Sequence, residues 1–361
     1  MREAVLLTPG PLTTTLATKT AMLTDWGSWD ARFNQLTASI CHDLLQIAEV
    51  GADYCCVPLQ GSGTFAVEAA IGSLVPRDRE LLVLVNGAYG QRMAKMAQVM
   101  GLKVQVLAVT DGIPVSAAAV KEALAANPAI SHVGMIHCET ATGLLNPVAE
   151  VASVVQAAGR GLILDSMSAF GALSIAGLAF DALISSANKC LEGVPGMGFV
   201  IVKKTALQVG RSPSLSLDLC DQYEYMQKTG QWRFTPPTHV VAAFRAALDQ
   251  YLAEGGQLAR LARYQANGDL LAAGMAKLGI KPFLVPPLQA PIIYTFYAPA
   301  HPEYKFQRFY QAVCQRGFLL YPGKLTEVET FRVGCIGAID QAEISQAIAA
   351  IGDALLELGW L

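Results

Sequence analysis

From about residue 50 to 205, short apolar runs alternate with amphipathic stretches. The runs are Tyr54–Leu59, Leu81–Asn86, Val104–Val109, His132–His137, Leu162–Asp165, Ala182–Ser185 and Phe199–Val202. They are short, rich in Val, Ile and Leu, and apolar on both faces, the pattern of buried parallel strands. Between them the spacing predicts helices over Thr64–Leu74, Gly90–Met100, Ser116–Ala125 and Pro147–Ala158. Ser116 suits an N-cap and Pro147 a first helical turn. Strands alternating with helices predict a doubly wound α/β domain with its site at the carboxyl ends of the strands.

Further along, the pattern changes. A helix is predicted at Val240–Leu252, a break at Glu254-Gly255-Gly256, and a second helix at Gln257–Leu278. Ile292–Tyr297 alternates like a sheet strand, Lys305–Arg316 reads as a helix and Phe331–Gly334 as a short strand. Asp340–Leu358 closes the chain as an amphipathic helix. The expected organisation is a large mostly parallel domain over 1–260 and a small C-terminal α+β domain over 261–361, about 100 residues and an ordinary domain size.

Composition adds three constraints. The chain has 361 residues, 53% of them hydrophobic and 15% charged, so a large core is expected and part of the surface should be covered by another subunit. The net charge of −3, without a block of like charges, argues against nucleic acid as a partner. No apolar run reaches the roughly 18 residues of a membrane span. The start is too short in apolar residues, and too interrupted by Pro9-Gly10-Pro11, for a signal peptide. The expected location is the cytoplasm. None of the eight cysteines forms a CxxC pair and histidine is scarce, so no metal site is expected.

The candidate chemistry sits at the predicted strand ends. The apolar run Phe180–Ile184 leads to Ser185-Ser186-Ala187-Asn188-Lys189, followed by a loop rich in Gly and Pro. A cation at the end of a buried strand is costly unless it is paired or reacts, and burial frees the amine lone pair for Schiff-base chemistry. Asp165 ends another apolar strand, as a carboxylate paired with the ring nitrogen of pyridoxal phosphate would. Gln60-Gly61-Ser62-Gly63-Thr64 opens a helix and offers backbone and hydroxyl donors for a phosphate. Tyr89 could stack on a flat ring, and the cluster His137–Gly143 brings hydroxyls. Arg332, in an apolar strand, suits a planar or tetrahedral oxyanion. Each has a plainer reading as a turn, a cap or a satisfied surface group. Their convergence on one rim favours pyridoxal phosphate.

Over essentially its whole length the chain resembles the fold-type I, class V pyridoxal-phosphate-dependent aminotransferases, the branch with alanine–glyoxylate and serine–pyruvate transaminases. The resemblance rests on segments 6–14, 59–69, 86–90, 184–190, 193–196, 214–219, 232–239 and Tyr321-Pro322-Gly323-Lys324. Within the branch it is most similar to members that use 2-aminoethylphosphonate and pyruvate. The activity implied moves the amino group between them, giving phosphonoacetaldehyde and L-alanine; the alternative is serine or alanine with glyoxylate or pyruvate. By position, the resemblance implies that Lys189 holds the cofactor covalently and moves the proton, and that Asp165 keeps the ring nitrogen protonated. It implies Tyr89 on one face of the ring and Met167 on the other, Ser62, Gly63 and Thr64 on the phosphate, and Thr140 on the phenolic oxygen. Thr238 joins the phosphate site from the neighbouring subunit of a homodimer. Arg332 binds the anionic end of the substrate, and Gly10 and Trp26 line the pocket. Cys138 and Ala141 stand where the family more often has hydroxyls.

Overall fold

The computed structural model describes residues 3–208, 212–325 and 328–361. Its centre is a seven-stranded sheet. The order across it is Tyr54–Gln60, Met197–Lys203, Ala182–Ser186, Gly161–Asp165, Ile130–Ile136, Glu80–Val85 and Lys103–Ala108. From Ala182–Ser186 to the Lys103 edge all neighbours are parallel. Met197–Lys203 is antiparallel to both its neighbours, which corrects the expectation for that run. The connection 187–196 contains no helix, and a parallel crossover needs about a dozen residues or more. The Lys103–Ala108 strand also departs from the pattern: it forms the edge, and no residue in it is fully buried.

Side-chain alternation along these strands builds two cores. Leu82, Leu84, Leu162 and Leu164 point to one face. Leu81, Val83, Val85 and Ile163 point to the other. Helices Gly63–Leu74, Ala88–Val99, Ala117–Ala126 and Val148–Ala157 follow the strands as the spacing predicts. Ser116 caps its helix by accepting the Ala119 N–H at 3.2 Å, while Pro147 sits one residue before the first turn. A helix absent from the sequence reading, Ala31–Ile47, covers the first core. Asp30 caps it, and Phe33, Ile40 and Leu44 are fully buried beneath it. Each such side chain contributes about 1.5–3 kcal/mol.

The C-terminal part has its own antiparallel sheet, ordered Ile293–Tyr297, Thr330–Gly334, Tyr321–Pro322. Helix Gln341–Glu357 packs on it, begun by a capping box of Asp340 and Glu343. Leu271, Met275, Phe296, Phe309, Phe331 and Ile351 form its core. Val5 and Leu7 belong to the same core, because Val5–Leu6 pairs in parallel with Phe318–Leu319. The chain's start is thus held by its last third, which brings residues 8–11 to the rim of the large sheet. No helix among the described residues is long and apolar enough to cross a membrane.

A buried ionic network ties these parts together. Glu192, in the loop after Lys189, accepts from Arg263 at 2.7 Å and from the Tyr264 hydroxyl at 2.5 Å, with Arg260 at 3.4 Å. Glu254 binds both arginines at 2.8 Å. Arg263 also donates to the Gly337 carbonyl at 2.6 Å, and Arg260 to that of Cys190. The arginines sit on helix Gly256–Lys277, so this helix fixes the Lys189 loop and the C-terminal part in one frame. Removing one partner of a buried pair strands the other. Arg260→Met should cost about 3–5 kcal/mol, read as a lower urea midpoint; an unchanged midpoint would contradict this account.

Candidate active site

One cavity of about 230 Å³ opens where the strand ends meet. Gly10, Ser62, Gly63, Thr64, Tyr89, Thr140, Asp165, Met167 and Lys189 line it. Nine of the residues singled out from sequence therefore converge on one wall. Trp26 and Thr238 do not line it in this chain. Trp26 packs on Phe33, with ring centroids 6.3 Å apart, and Thr238 begins the helix Thr238–Glu254. Arg332 stands just outside, in contact with Tyr89 and Thr140.

Lys189 follows the Ala182–Ser186 strand through a tight turn in which Glu192 takes a left-handed conformation, φ 56°. Its Nζ donates to the Pro9 carbonyl at 2.8 Å. Burial holds this amine below the ordinary lysine value, against the opposing pull of Tyr89, Cys190 and Asp165, and the charge of Lys324 lowers it further. Gly10 has φ 120°, and a Cβ there would lie 2.7 Å from Lys189 Nζ and 2.9 Å from the Asn188 carbonyl. A side chain at residue 10 would take the space the lysine occupies.

Asp165 ends its strand with Oδ1 accepting the Met167 N–H at 2.9 Å. Burial pushes its carboxyl up to about 6, although that bond, Lys189 and Arg92 pull it down. Met167 lies against the first turn of helix Gly63–Leu74, where a Cβ on Gly63 would come within 2.2 Å of its sulfur. Ser62 is the N-cap of that helix, yet its hydroxyl makes no capping bond. The orphan N–H groups of the first turn and this hydroxyl remain available to an anion.

Tyr89 lies in the first turn of Ala88–Val99. Burial raises its phenol, but the Lys324 ammonium, the Thr140 hydroxyl and Lys189 outweigh that and bring it below the ordinary tyrosine value. Glu139 anchors this turn from below. Fully buried, it accepts N–H bonds from Tyr89 at 3.0 Å, Gly90 at 3.4 Å and Ala141 at 3.0 Å. A Cβ on Gly87 would strike it at 2.5 Å. Sequence reasoning placed Glu139 in a polar turn and gave it no role. Its signal was the glycine at 87, beside the aromatic.

The profile of the family described as Aminotransferase class-V matches residues 32–304. This chain belongs to the class-V aminotransferases. It is 58% identical over 361 residues to 2-aminoethylphosphonate–pyruvate transaminase 1 of Cupriavidus pinatubonensis, covering 99% of this chain and 96% of that one. The 2-aminoethylphosphonate–pyruvate transaminase of Pseudomonas aeruginosa is also 58% identical, with 99% and 97% covered. Among solved structures, the pyridoxamine–pyruvate aminotransferase of Mesorhizobium loti superposes with a TM-score of 0.91 at 23% identity, covering 99% of this chain and 93% of that chain. The alanine–glyoxylate aminotransferase of Nostoc sp. gives 0.91 at 23%, covering 98% and 96%. These two share its fold.

The cofactor of this aminotransferase is pyridoxal phosphate. The residues fit it. The uncapped helix start accepts a phosphate, Gly63 leaves room beside Met167, and the buried Asp165 carboxylate suits a protonated ring nitrogen. An amine that burial holds below the ordinary lysine value completes the set.

Burial pushes the Glu139 carboxyl from 4.5 up to about 7, although its three N–H partners oppose this. Between those values the folded chain holds a proton that the unfolded chain releases. This group's contribution to stability is therefore greatest below its unfolded value and declines as pH rises to about 7. Glu139→Gln should flatten that part of the Tm-against-pH curve; an unaltered slope would rule the assignment out.

Proposed function

We propose that this aminotransferase moves the amino group of 2-aminoethylphosphonate to pyruvate, giving phosphonoacetaldehyde and L-alanine. The observation that carries the reading is 58% identity over 99% of the chain to proteins of that name. The cations at the cavity's edge support it, since both substrates are anions.

Bound pyridoxal phosphate supplies an electron sink for the bond broken at the substrate carbon. The chain does the rest. Lys189, whose amine burial holds below the ordinary lysine value, would attach the cofactor and move the proton taken from the amine-bearing carbon. Its bond to the Pro9 carbonyl fixes the position of Nζ. Asp165 holds a proton on the ring nitrogen, a task for which its own burial and single N–H bond leave it an oxygen to spare. Ser62, Gly63 and Thr64 would hold the phosphate, Tyr89 and Met167 would flank the ring, and Thr140 would bond its phenolic oxygen. Arg332 uses Nε on the Pro322 carbonyl and Nη1 on that of Thr140, at 2.9 and 2.7 Å. Its remaining donors take the phosphonate or the pyruvate carboxylate in turn.

A second copy of the chain completes the site by supplying Thr238 to the phosphate. Leu16, Leu23, Trp29, Leu215 and Phe234 are large apolar side chains left exposed on a single chain, which supports a homodimer. Sedimentation equilibrium at the mass of one chain would refute it. All eight cysteines are free thiols, which supports a cytoplasmic setting.

The decisive assay follows L-alanine during incubation with 2-aminoethylphosphonate and pyruvate. Alanine should form, and Lys189→Ala should abolish it, a loss of at least ~10⁴-fold. Turnover of L-serine with glyoxylate but none of 2-aminoethylphosphonate would overturn the substrate.

A further inference from the structure

Three cations gather around Tyr89. Lys324 Nζ donates to its hydroxyl at 3.2 Å and stands 4.4 Å from the ring centroid. The Arg92 guanidinium lies 5.0 Å from the same ring. Arg332 reaches the Tyr89 hydroxyl from the C-terminal sheet. The hydrogen-bond acceptors found for Lys324 and Arg332 among the described residues are all neutral: the hydroxyl and the carbonyls of Thr140 and Pro322. The contrast lies within the same molecule, where Arg260 and Arg263 are matched by Glu192 and Glu254. Arg332 is fully buried and Lys324 half-buried, and among the described residues neither has a carboxylate within ion-pair distance, although Glu139 acts on Arg332 from farther off; an anion that joins them is favoured.

One arginine matches one carboxylate. A phosphonate resembles a phosphate monoester and carries nearly two charges around neutral pH, so it calls for a second cation. In 2-aminoethylphosphonate only two carbons separate the amine from phosphorus, so the dianion must sit close to Lys189. Lys324 meets that condition, being near enough for its charge to depress the Lys189 amine. Its segment, Tyr321-Pro322-Gly323-Lys324, was conspicuous in the sequence but had no assigned chemistry.

We propose that Lys324 is a specificity-determining residue: with Arg332 it forms a two-cation seat for a dianionic phosphonate, favouring a phosphonate amino donor over a carboxylate one. This rests on the substrate reading given above. The test uses the holoenzyme and its Lys324→Met and Lys324→Arg variants. Each amino donor, 2-aminoethylphosphonate or L-alanine, is followed in single turnovers through the cofactor absorbance, which needs no acceptor. Calorimetry compares binding of ethylphosphonate with that of propionate. In Lys324→Met the ratio of kcat/KM for the phosphonate donor over alanine should fall ~10–100-fold, and ethylphosphonate should lose affinity relative to propionate. Lys324→Arg keeps the charge and should hold the ratio within ~3-fold of the parent. Equal losses on both donors, or an unchanged ratio, would overturn the proposal. A parent enzyme that converts no 2-aminoethylphosphonate would instead defeat the substrate reading, and the ethylphosphonate–propionate comparison would still judge Lys324.

Discussion

An amine at the end of a buried strand, with no ion pair among the described residues, is the constraint around which this protein is arranged. Water would keep Lys189 protonated; the folded chain removes the water and offers the Pro9 carbonyl in its place. A carbonyl accepts a hydrogen bond but brings no full negative charge, so burial still holds the amine below the ordinary lysine value. The arrangement works only if the chain's start passes very close. Gly10 makes that approach possible, and pairing of Val5–Leu6 with Phe318–Leu319 holds the segment in place. The placing of Lys189 on the large sheet therefore depends on a strand in the C-terminal part.

The same physics separates the carboxylates by task. Glu192 and Glu254 are matched by two arginines and lock the Lys189 loop to helix Gly256–Lys277. Glu139 and Asp165 have backbone N–H partners instead, and burial raises both. The first pair serves rigidity. Asp165 stays ready for a cationic partner from outside the chain, and Glu139 holds the Tyr89 turn against the His137–Gly143 loop. Two positions that look alike in sequence, an acid after an apolar run, differ because one finds an arginine and the other only amides.

Much of this was readable along the chain. Short runs apolar on both faces, with helical spacers between them, gave the sheet, and strand-end placement brought Ser62, Tyr89, Thr140, Asp165 and Lys189 to one rim. Local pattern could not give partners far apart in sequence. The network of Arg260 with Glu192, and the seat of Glu139 under Tyr89, are long-range contacts between segments that look ordinary alone. The reversal of Met197–Lys203 depends on the length of a connection rather than on strand composition, which is why apolarity suggested a parallel strand. Helix Ala31–Ile47 lay outside the alternating region that drew the reading. Trp26 and Thr238 do not line the cavity in one chain, which local pattern could not show.

The central claim is that burial holds the Lys189 amine below the ordinary lysine value. The direct test labels the cofactor-free protein with an amine-directed acylating reagent over a range of pH and reads Lys189 alone by peptide mass spectrometry. The account predicts a midpoint clearly below the ordinary lysine value of 10.5, with Lys189 modified ahead of the surface lysines at neutral pH. A midpoint at or above 10.5 would contradict it.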